Sequence, residues 1–300
     1  MSDDTHTPAA VGTEPPAIEA LSPWHEGWRV FRGNKAAITG LTMLALLVLM
    51  MLLGPGLYGV DAQSISATPF TPPFENTKVW LGTDYLGRDV LAGILIGGRA
   101  TLLVGLAAAT VAVSIGITVG ALAGYFGGWI DTVLSRLVEL FQVLPALLFA
   151  MVLVTLFTPS LEVVVFAIGL VVWTGTARLA RAEFMRLRNM EFAHAARAMG
   201  AGSLRLMLRE ILPNALPPLI VSASLIVGAA ILFEAGLSFL GLSDPNVMSW
   251  GLMIGNNRRN ILDCWWAVTF PGVAIFFTVL SVSLVGDGLN DALNPRLHLR

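Results

Sequence analysis

Cysteine, charge and any basic excess are what this chain has least of. Cys264 stands alone among 300 residues, so no intramolecular disulfide can form and no cysteine-based metal cluster is available. The four histidines, His6, His25, His194 and His298, are scattered, with no HExxH pair and no paired-carboxylate arrangement around them. No glycine-rich loop followed by lysine occurs, which excludes a Walker-type ATP site in this chain. Serines and aspartates in the loops have no histidine at a recognisable spacing, so nothing in the sequence points to catalysis. Charged residues make up 13% of the chain, against roughly 25% in a soluble domain. A net charge of −2 argues against nucleic acid as a partner, because such binders carry a basic face. Residues 1–20 are polar and acidic and hold Pro8, Pro15 and Pro16; they lack the basic start of a signal peptide and read as a disordered cytoplasmic tail.

What is abundant is apolar. Hydrophobic residues reach 55% and the mean hydropathy is +0.75, which puts the chain in the membrane class. A membrane helix needs about 20 consecutive apolar residues. Runs that meet or approach this lie at 36–57, 101–123, 137–157, 161–177, 215–233 and 267–286. The expectation is an all-α integral membrane protein with six spans, every one helical because lipid offers backbone groups no other partner. The fourth run is the shortest, with a charge-free core at 163–177.

Orientation follows from lysine and arginine in the connecting segments. Arg29, Arg32, Lys35, Arg136, Arg178, Arg181, Arg186, Arg188, Arg197, Arg205, Arg209, Arg296 and Arg300 fall on one side; Lys78, Arg88, Arg99, Arg258 and Arg259 fall on the other. Both termini are therefore expected in the cytoplasm. Before the first span, Leu21, Trp24, Trp28 and Phe31 share one helical face of residues 21–35, a pattern that suits a helix lying flat at the interface or a simple juxtamembrane aromatic anchor. Gly116, Gly120 and Gly124 line one face of the second span, where they let a neighbouring backbone approach. Glu139, Glu162, Glu234 and Asp287 lie near span ends, as caps or interface contacts or as ligands of a solute.

Residues 189–218, NMEFAHAARAMGAGSLRLMLREILPNALPP, interrupt the apolar pattern with two short amphipathic helices. Phe192, Ala195, Ala196 and Met199 recur at helical spacing, and so do Leu204, Met207, Leu208 and Ile211. Gly200 is placed to end the first helix in the left-handed conformation, Ser203 to cap the second and Pro213 to break it. Two helices this short need something to pack on, either their own bundle or the groove of a soluble partner.

This segment resembles the EAA loop of ABC-transporter permeases, a pattern of E-A-A, three residues, Gly and a closing L-P. Ala195, Ala196, Gly200, Leu212 and Pro213 match at the family spacing. His194 occupies the glutamate position, Glu191 offers a carboxylate one turn earlier, and Glu210 with Ile211 replaces an isoleucine. Three more blocks add to the likeness. LGTDYLGRDVLAGILIGGRATL at 81–102 is similar to the segment between the first two spans of peptide-type permeases. FEAGLSFLGLSDPNVMSWGLMI at 233–254 and GDGLNDALNPRL at 286–297 are similar to their later signatures. The resemblance covers residues 20–300 and points to the C-type subunit of dipeptide, oligopeptide or nickel importers.

That resemblance implies a type I importer permease in the bacterial cytoplasmic (inner) membrane. Its expected layout is an interfacial helix at 21–35, a first span at 36–58, an extracytoplasmic loop at 59–98, a core of five spans at 99–290 containing the EAA loop at 181–213, and a cytoplasmic C-terminus at 291–300. It implies a second related permease as partner in a heterodimer, two cytoplasmic ABC ATPases that bind ATP and magnesium, and an extracytoplasmic substrate-binding protein. The chain itself is expected to carry no cofactor, no metal and no catalytic residue. Coupling to the ATPases would involve Glu191, His194, Ala195, Ala196, Met199, Gly200, Ala201, Leu212 and Pro213. Asp84, Arg88 and Asp89 of the outer loop would either pair to shape it or meet the binding protein. The solute would be a di- or oligopeptide, with a nickel complex, glutathione or another peptide-like solute as alternatives. A secondary transporter is the alternative class; it would show ionisable residues at the membrane midplane or symmetric broken helices, and neither is evident.

Overall fold

The structure, a computed structural model, describes residues 23–293; the tail at 1–20 and the last seven residues lie outside the described residues. Among the described residues twelve α-helices follow one another: α1 Pro23–Gly33, α2 Lys35–Tyr58, α3 Val90–Phe126, α4 Gly128–Val143, α5 Ala146–Leu156, α6 Leu161–Val172, α7 Thr174–Leu187, α8 Glu191–Ala198, α9 Ser203–Arg205, α10 Leu212–Phe239, α11 Trp250–Asn257 and α12 Trp266–Leu293. A π-helical segment, Leu206–Ile211, joins α9 to α10. Among the described residues the only β pairings are isolated bridges, Ile65 with Arg88 and Thr83 with Asp89.

Among the described residues four helices are long and apolar enough to cross a membrane, Lys35–Tyr58, Val90–Phe126, Ser203–Phe239 and Trp266–Leu293; two bent pairs bring the number to as many as six. The bent pairs fall at the third and fourth apolar runs, and each is a helix broken in two. In the third, α4 already begins at Gly128 and meets α5 at 90°. Pro145 lacks an N–H and forces Leu144 into an extended conformation (φ −71°, ψ 133°), so no continuous helix can pass. In the fourth, α6 and α7 bend by 46° about Trp173, and α7 carries Arg178 and Arg181 inside the helix.

The centre of the bundle is the α3–α7 pair. An added Cβ on Gly116 would come within 2.6 Å of the Thr176 Cβ, and one on Gly124 within 2.5 Å of the Arg181 carbonyl. The glycine face of the second span therefore serves packing within this chain, where close backbone approach replaces the hydrophobic drive that lipid removes. Around it, α10, α12 and α2 close the bundle, and α11 packs against α10 and α12.

The helix α1 packs on α12 rather than lying free. Phe31 is buried against Ala37 and Ala292, and the Trp28 ring stacks on it at 5.7 Å. Glu234, expected near a span end within reach of water, is instead buried, with its Oε1 accepting a 2.6 Å hydrogen bond from Ser238 Oγ. Gly251 of α11 makes this closure possible, because its bare Cα lets α11 press onto Ala235 and Ser238.

Candidate functional site

The arginine-rich end of the bundle is built outward from one apolar cluster. Tyr125 of α3, Ala180, Phe184 and Leu187 of α7, Ala193 and Ala196 of α8, and Leu206, Met207 and Ile211 of the π segment bury one another. The element following α7 is therefore fastened to α3, α7 and α10 together. Two arginines add polar ties. Arg188 Nη1 donates to the Tyr125 carbonyl at 2.8 Å, meeting an unpaired group at the C-terminal end of α3. The Arg197 guanidinium stands over the Tyr125 ring at 5.8 Å. On the flank, Arg181 Nε and Nη2 hold both Asp131 oxygens at 2.5 and 2.7 Å, locking α4 to α7.

The turn between the two short helices has the expected glycine. Gly200 adopts φ +85°, donating its N–H to the Arg197 carbonyl, while Ala201 N–H reaches back to the Ala196 carbonyl. Ser203 does not act as the cap: the cap position is Gly202, and no side chain bonds the first turn. Nor does Pro213 break the second helix. The chain runs unbroken from Ser203 to Phe239 with Pro213, Pro217 and Pro218 inside it. The widened π turn absorbs the first proline, and Leu212 N–H bonds the Met207 carbonyl five residues back.

Of the ridge expected from helical spacing, Met207 and Ile211 do face inward. Leu206, Met207 and Ile211 are buried, whereas Leu204 and Leu208, placed on the inner ridge by regular helical spacing, are 69% and 53% exposed. In α8 the inner residues are Ala193 and Ala196 with Phe192 half-buried, not Ala195 or Met199. Met199 is 83% exposed. Of the expected coupling residues, Ala196, Ala201 and Leu212 face the cluster, while Glu191, His194, Ala195, Met199, Gly200 and Pro213 are on the surface.

At the opposite end, Asp84 and Asp89 are engaged with backbone rather than with Arg88. Asp84 Oδ1 accepts from the amides of Leu86 and Arg88, both at 2.8 Å. Burial pushes the Asp84 carboxyl up from its ordinary value, against the opposing effect of those amides and of the Arg88 charge. Asp89 caps α3 through the amides of Leu91 and Ala92, and its Oδ2 accepts from the Tyr58 hydroxyl at 2.6 Å. Trp266 Nε1 donates to the Thr83 carbonyl at 2.9 Å, so the loop ties α2, α3 and α12 together. Among the described residues none of Asp84, Arg88 and Asp89 forms an ion pair.

Sequence reasoning missed Arg99, whose Nε and Nη2 donate to the Met51 and Leu52 carbonyls of α2. The signal was Pro55, which leaves the Met51 carbonyl without its helical donor. It also missed the Asp131–Arg181 pair, since two residues 50 positions apart share no local pattern.

Comparison with known proteins agrees with this architecture. Residues 116–299 match the family model described as the inner membrane component of binding-protein-dependent transport systems, and residues 22–73 match the N-terminal transmembrane domain of oligopeptide transport permease C. A dipeptide transport system permease protein of Alkalihalophilus pseudofirmus is 39% identical over 280 residues, covering 93% of this chain and 91% of that protein. A di/tripeptide transport system permease protein of Pseudomonas aeruginosa is 38% identical, covering 94% and 95%. An oligopeptide transport system permease protein of Escherichia coli is 37% identical, covering 93% of each. Among solved structures, a chain of the methionine ABC transporter MetNI in an inward-facing conformation superposes with a TM-score of 0.51 at 17% identity, over 67% of this chain and 96% of that one.

Proposed function

Because this chain belongs to the family of inner membrane components of binding-protein-dependent transport systems, we propose that it is one permease subunit of an ATP-driven importer of di- or oligopeptides. The peptide reading rests on the transport named for its relatives, which it matches over more than nine-tenths of both chains. In this reading a second, related permease completes the path and two ABC ATPases dock on the arginine-rich, cytoplasmic face, where they hold ATP and magnesium. An extracytoplasmic binding protein delivers solute to the opposite face, onto the loop shaped by Asp84 and Asp89. The chain itself has no catalytic role.

The observation that carries the coupling role is the two-sidedness of the 189–218 segment. Its inner face is fixed in the bundle by Ala193, Ala196, Leu206, Met207 and Ile211, while Met199, Leu204 and Leu208 project outward among Arg197, Arg205 and Arg209. Exposed apolar side chains on an anchored helix suit a partner groove. A groove moving with ATP binding would displace α8, and the uninterrupted rod Ser203–Phe239 would carry that displacement into the bundle. Glu191 and His194, exposed on α8, supply the polar contacts.

Co-expression with neighbouring subunits and affinity purification of this chain tests the assembly. Recovery of a second permease and two ATPases, whose hydrolysis rises with peptide-loaded binding protein, is the expected result. Recovery of this chain alone, with transport independent of ATP, would sink the proposal.

A further inference from the structure

An open cavity of about 320 Å³ lies between α3, α4 and α7. That volume is within the range of about 300–1,000 Å³ usual for small-molecule sites. Its floor is made of small and apolar residues, Gly120 of α3 and Val138 of α4 among them. One polar wall comes from a single face of α4. Ser135, Glu139 and Gln142 follow at intervals of four and three residues and all line the cavity, while Val133, Leu137 and Leu140 occupy the opposite, exposed face. These three polar side chains give α4 a polar face toward the cavity, set against the apolar face opposite.

From α7, Arg178 and Arg181 enter the same cavity. Their situations differ. Arg181 is spent on Asp131 in a two-point contact. Among the described residues no hydrogen bond or ion pair engages Arg178. Glu139 receives Arg136 at one oxygen, at 2.7 Å, which leaves most of the roughly four acceptor positions of a carboxylate open. The cavity thus offers an unengaged guanidinium, a carboxylate with spare capacity and, on the same wall, the primary amide of Gln142. A purely anionic ligand would be repelled by Glu139, and a purely cationic one by Arg178 and Arg181. A short zwitterion satisfies all of them.

We propose that this cavity is a solute site on the arginine-rich side of the spans that holds a short peptide by its two termini. Arg178 takes the terminal carboxylate, Glu139 the terminal ammonium, and Gln142 the peptide group between them. The inference rests on the peptide-importer reading above and adds to it a site within the permease itself.

The test is equilibrium binding of radiolabelled alanyl-alanine to the assembled transporter without its binding protein. The expected result is saturable binding that falls at least tenfold in Arg178→Gln, and at least tenfold in the wild type when the dipeptide is C-terminally amidated. Glu139→Gln is expected to weaken alanyl-alanine while leaving N-acetylated dipeptide, already weak, unchanged. Equal binding by wild type and Arg178→Gln would overturn the site. So would loss of the second permease from the Arg178→Gln complex, because that result assigns Arg178 to the subunit interface. Import into proteoliposomes with the binding protein present separates the two levels. If the wild-type complex imports no dipeptide, the peptide-importer reading itself fails; if it imports dipeptide but Arg178→Gln binds normally, only the site fails.

Discussion

Arg99 Nε stands 2.7 Å from the Met51 carbonyl, the group that Pro55 leaves without a helical donor. An arginine on one membrane helix thus repairs the backbone of its neighbour, which accounts for a charged residue against the first span. Replacing Arg99 by Met is expected to cost about 1–3 kcal/mol, the penalty of a buried carbonyl left unsatisfied. Pro55→Ala restores an N–H at that position, so the same arginine change should cost measurably less in that background. A double-mutant cycle on thermal unfolding in detergent reads the coupling; strict additivity would contradict the assignment.

The α3–α7 contact tolerates no added volume. Gly120→Val is expected to destabilise by about 1–3 kcal/mol, as overpacking does elsewhere, and to lower the yield of monodisperse protein. Gly272→Ala, at a position with open space around it, is the control and should behave as wild type. Equal thermal midpoints for the two variants would contradict the packing account.

The Asp131–Arg181 pair joins α4 to α7 and bounds the cavity beside it. Asp131→Asn is expected to lower stability by about 1 kcal/mol, at the upper end for a partly exposed pair. The exchange Asp131→Arg with Arg181→Asp should recover part of that loss. Stability of the exchange variant below that of either single change would contradict a direct pair.

Much of this architecture is legible in the sequence, and the failures have common causes. Hydropathy finds the spans because lipid demands length and apolarity, but it averages over Pro145 and so misses the 90° bend between α4 and α5. Gly200 is readable because a left-handed residue at a helix end has few alternatives to glycine. Met207 and Ile211 are readable from helical spacing, but Leu206 beside them is not, because a π turn has no periodic signature. Asp131 with Arg181, and Arg99 with Met51, depend on which helices become neighbours, which one chain read alone does not show.

Asp84 sets a pH dependence of known sign. Its carboxyl titrates above its unfolded value of about 3.9, so the folded protein binds the proton more tightly than the unfolded chain. Its contribution to stability is therefore fully present below the unfolded value and is lost as pH rises through the folded one. The thermal midpoint of the wild type relative to Asp84→Asn should fall across that window. A relative midpoint that rises with pH would contradict the burial argument.

Gly200 separates the turn from the contact it presents. At φ +85°, Gly200→Ala is expected to cost about 1 kcal/mol with modest loss of transport. Gly200→Pro should abolish transport while the protein stays inserted, because proline fixes φ at negative values and removes the N–H given to Arg197. Normal transport by Gly200→Pro would show that the turn geometry is dispensable.

The most direct test of the coupling claim is ATP hydrolysis stimulated by peptide-loaded binding protein, measured on the assembled complex in proteoliposomes with Met199→Glu. Met199 is outside the apolar cluster and almost wholly exposed, so the change leaves the fold intact and alters only what a partner meets. The expected result is loss of at least nine-tenths of the stimulation, with the second permease still bound and this chain still inserted. Undiminished stimulation in that variant would contradict the assignment of α8 as the element through which the ATPases act.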